Sequence, residues 1–66
     1  MKKGTLLKNK KIMNVFADGG YKFIGIVKEN MIVVYLKPDI LYGNNYSVCF
    51  NGEQIVSVMN DNLEKL

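Results

Sequence analysis

Residues 20–36, Gly-Tyr-Lys-Phe-Ile-Gly-Ile-Val-Lys-Glu-Asn-Met-Ile-Val-Val-Tyr-Leu, indicate the fold class of this chain. Two runs, Tyr21 to Lys28 and Met31 to Lys37, are rich in β-branched and aromatic residues and show little helical spacing. Lys28-Glu29-Asn30 between them is polar, and asparagine tolerates a left-handed backbone. The stretch therefore reads as a hairpin with Glu29-Asn30 as its two-residue loop.

Similar signals lie on either side. Lys11 to Ala17 reads as a preceding strand, closed by the turn cluster Asp18-Gly19-Gly20. Pro38-Asp39 is expected to stop the strand ending at Lys37, because proline brings no N–H to a ladder. Ile40 to Asn45 reads as a loop carrying Tyr42. Tyr46 to Phe50 and Gln54 to Met59 then form a second hairpin through Asn51-Gly52. Residues 60–66 read as a polar tail, either one helical turn or frayed. Five short strands and tight turns predict an all-β fold, a small five-stranded antiparallel barrel, strongly bent, of the SH3-like or OB-like kind and without substantial helix. Gly25 in mid-strand marks the expected bend. The domain organisation is a basic arm over 1–10, a barrel over 11–59 and a polar tail over 60–66.

Composition bounds the function. A 66-residue chain makes one domain with a small core, yet 48% of these residues are hydrophobic, which predicts a homo-oligomer or a covering partner. No histidine is present, so Ser-His and Cys-His pairs and histidine metal sites are excluded. Cys49 lies between Val48 and Phe50 and reads as a buried, inert thiol that suits a reducing compartment. No catalytic residue, metal site or cofactor is expected. Lys8, Lys10 and Lys11 interrupt any leader-like apolar run, and Met31 to Leu36 is far short of a membrane span, so the expectation is a soluble, cytoplasmic protein.

Charge is uneven. Residues 1–11 carry Lys2, Lys3, Lys8, Lys10 and Lys11 with no acid, while residues 12–66 carry four lysines and six acids. The arm either meets phosphate or an acidic protein, or is a solvated terminus. With no arginine in the chain, any nucleic-acid binding rests on lysine point charges and is salt-dependent. Phe16, Phe23 and Phe50 read as core. Tyr42 and Tyr46, apolar bodies with polar tips, are candidate partner contacts.

Gly20 and Gly25 at five-residue spacing, after Val15-Phe16-Ala17-Asp18-Gly19, form one half of a pattern whose other half is Val48-Cys49-Phe50-Asn51-Gly52-Glu53-Gln54-Ile55. Over residues 15–58 this resembles the Sm and Sm-like family, which includes the bacterial Sm-like RNA chaperone. The resemblance implies a homo-oligomeric ring with RNA held near the Asn30 and Asn51 turns. Asn51 stands where the family carries arginine, and the Asp and Asn that follow the family's second glycine have no counterpart here beyond Asn30. The candidate nucleic-acid contacts are therefore Lys2, Lys3, Lys8, Lys10, Lys11, Lys28, Asn30 and Asn51, with RNA or another single-stranded nucleic acid as partner. The alternative is a protein-interaction module, such as a phage or mobile-element adaptor or inhibitor, or capture of a small ligand at a subunit interface.

Overall fold

The computed structural model describes residues 1–16, 23–39 and 45–66, with Phe23 described in its backbone only. Seven strands occur among them, where five were expected. They are β1 (Leu6–Asn9), β2 (Met13–Phe16), β3 (Phe23–Val27), β4 (Ile32–Asp39), β5 (Tyr46–Phe50), β6 (Ile55–Met59) and β7 (Leu63–Lys65). There is no α-helix among the described residues, and the single helical turn is 3-10, Asn60–Asn62. The strands form one antiparallel sheet in the order β3-β2-β6-β5-β4-β1-β7, with no ladder joining β3 to β7 among the described residues. Among the described residues no helix is long and apolar enough to cross a membrane.

Alternation assigns the two faces. Leu7, Val15, Val27, Val33, Tyr35, Cys49, Val56 and Val58 are buried and point inward. They form two clusters, one on β1, β4 and β5 and the other on β2, β3 and β6. Met31 and Leu63 pack against both clusters. Leu63 belongs to one edge strand and Val27 to the other, so the sheet curls until its two edges share one core. The core is made of small side chains, mostly valine, each contributing about 1.5–3 kcal/mol when fully buried. On the opposite face Val48, Ser57 and Asp39 are also buried, and the Ser57 hydroxyl donates to Asp39 Oδ2 at 2.7 Å.

Three expectations change. First, β3 and β4 are not a hairpin: β3 pairs only with β2, and β4 lies between β5 and β1. Asn9 takes the place beside β4 that β3 was expected to fill. Its N–H donates to the Met31 carbonyl, and the Asn30 N–H donates to the Asn9 carbonyl, both at 2.8 Å. The connecting turn closes from Met31 N–H to the Lys28 carbonyl, with Asn30 at φ 65°. Positive φ at the third position alone is the type II pattern, which splays flanking strands instead of pairing them.

Second, Pro38 does not end β4, since Pro38 pairs with Ser47 and Asp39 with Tyr46. Past Tyr35 the β1 ladder has ended, so this part of β4 has β5 on one side only among the described residues, and an edge accommodates proline. A register shift between Tyr35 and Lys37 bends the strand there.

Third, the chain ends carry structure: β1 lies in the expected basic arm and β7 in the expected tail, and they pair through Leu7–Lys65, Lys8–Glu64 and Asn9–Leu63. The Ala17 to Lys22 and Ile40 to Asn44 segments, with Tyr42, lie outside the described residues. Gly25 has φ 151°, a conformation side-chain-bearing residues rarely adopt, and it pairs with Val15 beside the irregular step of the β2–β3 ladder. A bend was expected at this glycine, and the ladder is irregular beside it.

Candidate nucleic-acid interface

A buried pair of asparagines, Asn9 and Asn62, gathers the lysine-bearing segments. Asn9 is the last residue of β1 and shares the inward face with Leu7, two positions earlier. An amide on that face must find partners, because burying it without hydrogen bonds costs several kcal/mol. Asn9 Nδ2 donates to the Lys11 carbonyl and to the Lys28 carbonyl, each at 2.8 Å. Asn62 Nδ2 donates to the Lys11 carbonyl at 2.8 Å and to Asn9 Oδ1. The Lys10 N–H donates in turn to the Asn62 carbonyl at 2.8 Å.

Three separate segments thus meet at one side-chain pair: the β1–β2 link, the β3–β4 turn and the 3-10 turn. Because one amide nitrogen binds both carbonyls, the backbones of Lys11 and Lys28 are neighbours. Lys10, Lys11, Lys28 and Asn30 are all exposed around this clamp. They form a corner of three lysines whose nearest acid in sequence is Glu29, within the same turn. Three ammonium groups on a fixed backbone suit a phosphate chain, each as a point charge.

The other expected contacts fall elsewhere. Lys2 and Lys3 sit in the turn before β1, where Thr5 Oγ1 donates to the Lys2 carbonyl at 2.6 Å and the Gly4 N–H to the Tyr35 carbonyl at 2.7 Å. Extended β1, four residues at about 3.3 Å each, sets them about 13 Å along the chain from the corner. Lys8 projects from the outward face and pairs with Glu64 at 3.0 Å. Asn51 is occupied by its own turn: its Oδ1 accepts the N–H groups of Glu53 and Gln54 at 2.9 Å each. Gly52 follows at φ 100°, and the expected hairpin through Asn51-Gly52 is present, closed by residues 51–54 between the paired Phe50 and Ile55.

Tyr46 is half-buried at the start of β5 and lines a polar cleft with Asn45, Met59, Asn60 and Asp61. Cys49 is buried, and burial pushes its thiol up to about 11, so little thiolate exists near neutral pH. Phe50 was expected in the core but lies on the outward face, exposed. It pairs with Val34 and Ile55, while inward-facing Cys49 occupies the core position beside it. Among the described residues no group of three or more His, Cys, Asp or Glu is placed to hold a metal ion.

Asn9 and Asn62 were not anticipated as site-forming residues. The signal for Asn9 was its spacing, two positions after Leu7 and hence on the inward face, among lysines that hid it in an apparently polar arm. Asn62 lies in the helical turn that the tail's sequence allowed, but nothing there marked its side chain as inward-facing. A family model, a curated protein or a solved structure that matches this chain was sought in comparisons with known proteins, and none matches.

Proposed function

We propose that this protein is a non-enzymatic binding protein that holds the phosphate backbone of single-stranded nucleic acid, RNA in particular, at the Lys10, Lys11, Lys28 and Asn30 corner. One observation carries this reading: the buried Asn9–Asn62 pair ties the lysine segments together from residues far apart in sequence. The Sm-like small barrel belongs to the same proposal. It is supported by the curled sheet with a shared core and by the conformation of Gly25.

The test is a salt titration with oligo(U) and oligo(A) RNA, read by fluorescence anisotropy. Three phosphate contacts give a log–log salt slope of about −2 on a single strand, and Lys11→Gln with Lys28→Gln reduces it to about −0.7. Absence of binding at low salt, or a slope that the double substitution leaves unchanged, overturns the proposal.

A second reading, a protein-interaction module, is favoured by a different observation. An apolar groove of about 580 Å³, lined by Ile12, Met13, Asn14, Phe16 and Ile26, lies at the β2–β3 end of the sheet. Beside it β3, Phe-Ile-Gly-Ile-Val, is an uncharged edge strand whose outer side has no ladder partner among the described residues. On this reading Ile26→Lys removes partner binding and leaves the salt titration unchanged.

A further inference from the structure

We infer that the cleft beside Tyr46 binds a guanine base, carried by the strand held at the lysine corner or by a free nucleotide. Its floor follows from the register. Tyr46 pairs with Met59 across β5 and β6, and directly paired residues point to the same side of a sheet. An aromatic ring and a thioether therefore lie side by side, an apolar surface on which a base stacks. One wall is fixed by hydrogen bonds: the Asn60 N–H donates to the Asn45 carbonyl at 2.8 Å, and the buried Ser47 hydroxyl donates to Asn60 Oδ1. The cleft has a volume of about 450 Å³, within the range of small-ligand sites and ample for a purine.

The rim selects the base. Asp61 lines the cleft and is exposed, and its carboxylate has no hydrogen-bond or ion-pair partner among the described residues. A carboxylate only accepts, through two oxygens. On its Watson–Crick edge guanine presents two neighbouring donors, N1–H and the N2 amino group, which match those oxygens. Adenine and cytosine each set a ring-nitrogen acceptor beside a single amino donor, and uracil flanks its one N–H with two carbonyls. Each of these bases turns at least one lone pair on the carboxylate.

Position ties the cleft to the corner, so for a base within a strand the inference rests on the nucleic-acid reading above. Asn60 and Asp61 belong to the same 3-10 turn as Asn62. The Asn62 side chain binds the Lys11 carbonyl, and its own carbonyl accepts the Lys10 N–H at 2.8 Å. Two residues of such a turn advance about 4 Å along its axis. A strand with its phosphates on Lys10 and Lys11 thus has the cleft within reach of an adjoining base. Stacking tolerates any base, so the carboxylate carries the preference.

The test is fluorescence anisotropy of the full chain with two short RNAs of equal length at one low salt concentration, one all-uridine and one with a central guanosine. The guanosine strand is expected to bind about tenfold tighter with the same salt slope, because one bidentate pair is added and no phosphate. Inosine in place of guanosine, which lacks the N2 amino group, is expected to lose most of that gain. Asp61→Ala, at an exposed position, is expected to abolish the preference without weakening the all-uridine strand, whereas damage to the fold would weaken both. Equal affinity of the two strands for the wild type, or a preference that survives Asp61→Ala, overturns the inference. If neither strand binds, the corner reading fails, and calorimetry with guanosine and adenosine monophosphates tests the cleft by itself. Guanosine monophosphate binding that Asp61→Ala removes upholds the cleft as a site for the free nucleotide, and absence of that binding overturns it.

Discussion

The turn at residues 51–54 and the turn at residues 28–31 each carry one asparagine, and the two use their backbones in opposite ways. Asn51 folds its side chain back onto the Glu53 and Gln54 N–H groups, so the turn is self-contained and asks nothing of the rest of the molecule. Asn30 instead sits at positive φ, with no side-chain hydrogen bond among the described residues. Its turn is held from outside, by Asn9 Nδ2 on the Lys28 carbonyl and by the Asn9 carbonyl on the Asn30 N–H. A self-contained turn closes a hairpin between neighbouring strands. A turn held from outside lets the chain leave one strand pair and enter another, and here it does so beside Lys10 and Lys11. The identity of a turn residue is thus less informative than the source of the hydrogen bonds that hold it.

The largest effect that separates the two turns is expected from Asn9→Ala. The substitution removes two donated bonds and one accepted bond from a buried network, and it leaves the Asn62 amide short of a partner. Each buried polar group stranded in this way costs about 1–3 kcal/mol, and the retained Met31 N–H to Lys28 bond limits the total to about 2–3 kcal/mol. Urea denaturation should show that loss in the midpoint with an unchanged slope. RNA affinity should fall too, although no charge has been removed, because Lys11 and Lys28 are no longer held together. A loss under about 1 kcal/mol would mean that the first turn is as self-sufficient as the second.

The same contrast explains what could be read from the sequence. β5 matches its expected span at both ends, and β2, β3, β4 and β6 fall within two residues of theirs at each end. These strands announce themselves by runs of valine, isoleucine and aromatics. β1 and β7 do not, since each puts only one apolar side chain on its inward face, Leu7 and Leu63. Their strand character comes from pairing with each other and with β4, which no local pattern encodes. The pairing of β3 was hidden for a related reason. Apolar strand, short turn, apolar strand is the same text whether the strands pair or part, and what separates them is Asn9, twenty residues upstream of Glu29. For the site, charge alone singled out Lys10, Lys11 and Lys28, but it could not distinguish them from Lys8, which the β1–β7 register sets against Glu64. Asn51 drew attention as a turn residue, and its side chain is in fact consumed by that turn.

A smaller effect is expected on the other side of the comparison. Asn51→Ala deletes the acceptor for two N–H groups that are exposed to solvent, so water replaces it at a cost of about 1 kcal/mol. Asn51→Asp keeps the acceptor and should recover most of that loss in the same urea measurement. RNA affinity at fixed salt should not change with Asn51→Ala. A clear drop in affinity would place nucleic acid at both turns and undo the division between them.

The smallest change in stability, and the sharpest test of the first turn, is Asn30→Gly. Asn30 pays a steric penalty for its φ of 65°, which glycine does not, although glycine also gains freedom in the unfolded chain. The two terms oppose each other, and the net is expected to lie within about 0.5 kcal/mol of the wild type. The N–H that donates to the Asn9 carbonyl is retained, so the clamp and the positions of Lys11 and Lys28 persist. Only the exposed amide is lost. The salt slope reports phosphate contacts and should stay the same, whereas binding at a single salt concentration weakens if that amide reads a base or a sugar. An unchanged slope with weaker binding assigns Asn30 to the nucleic acid. An unchanged slope with unchanged binding reduces its role to shaping the turn, which then presents lysines and nothing more.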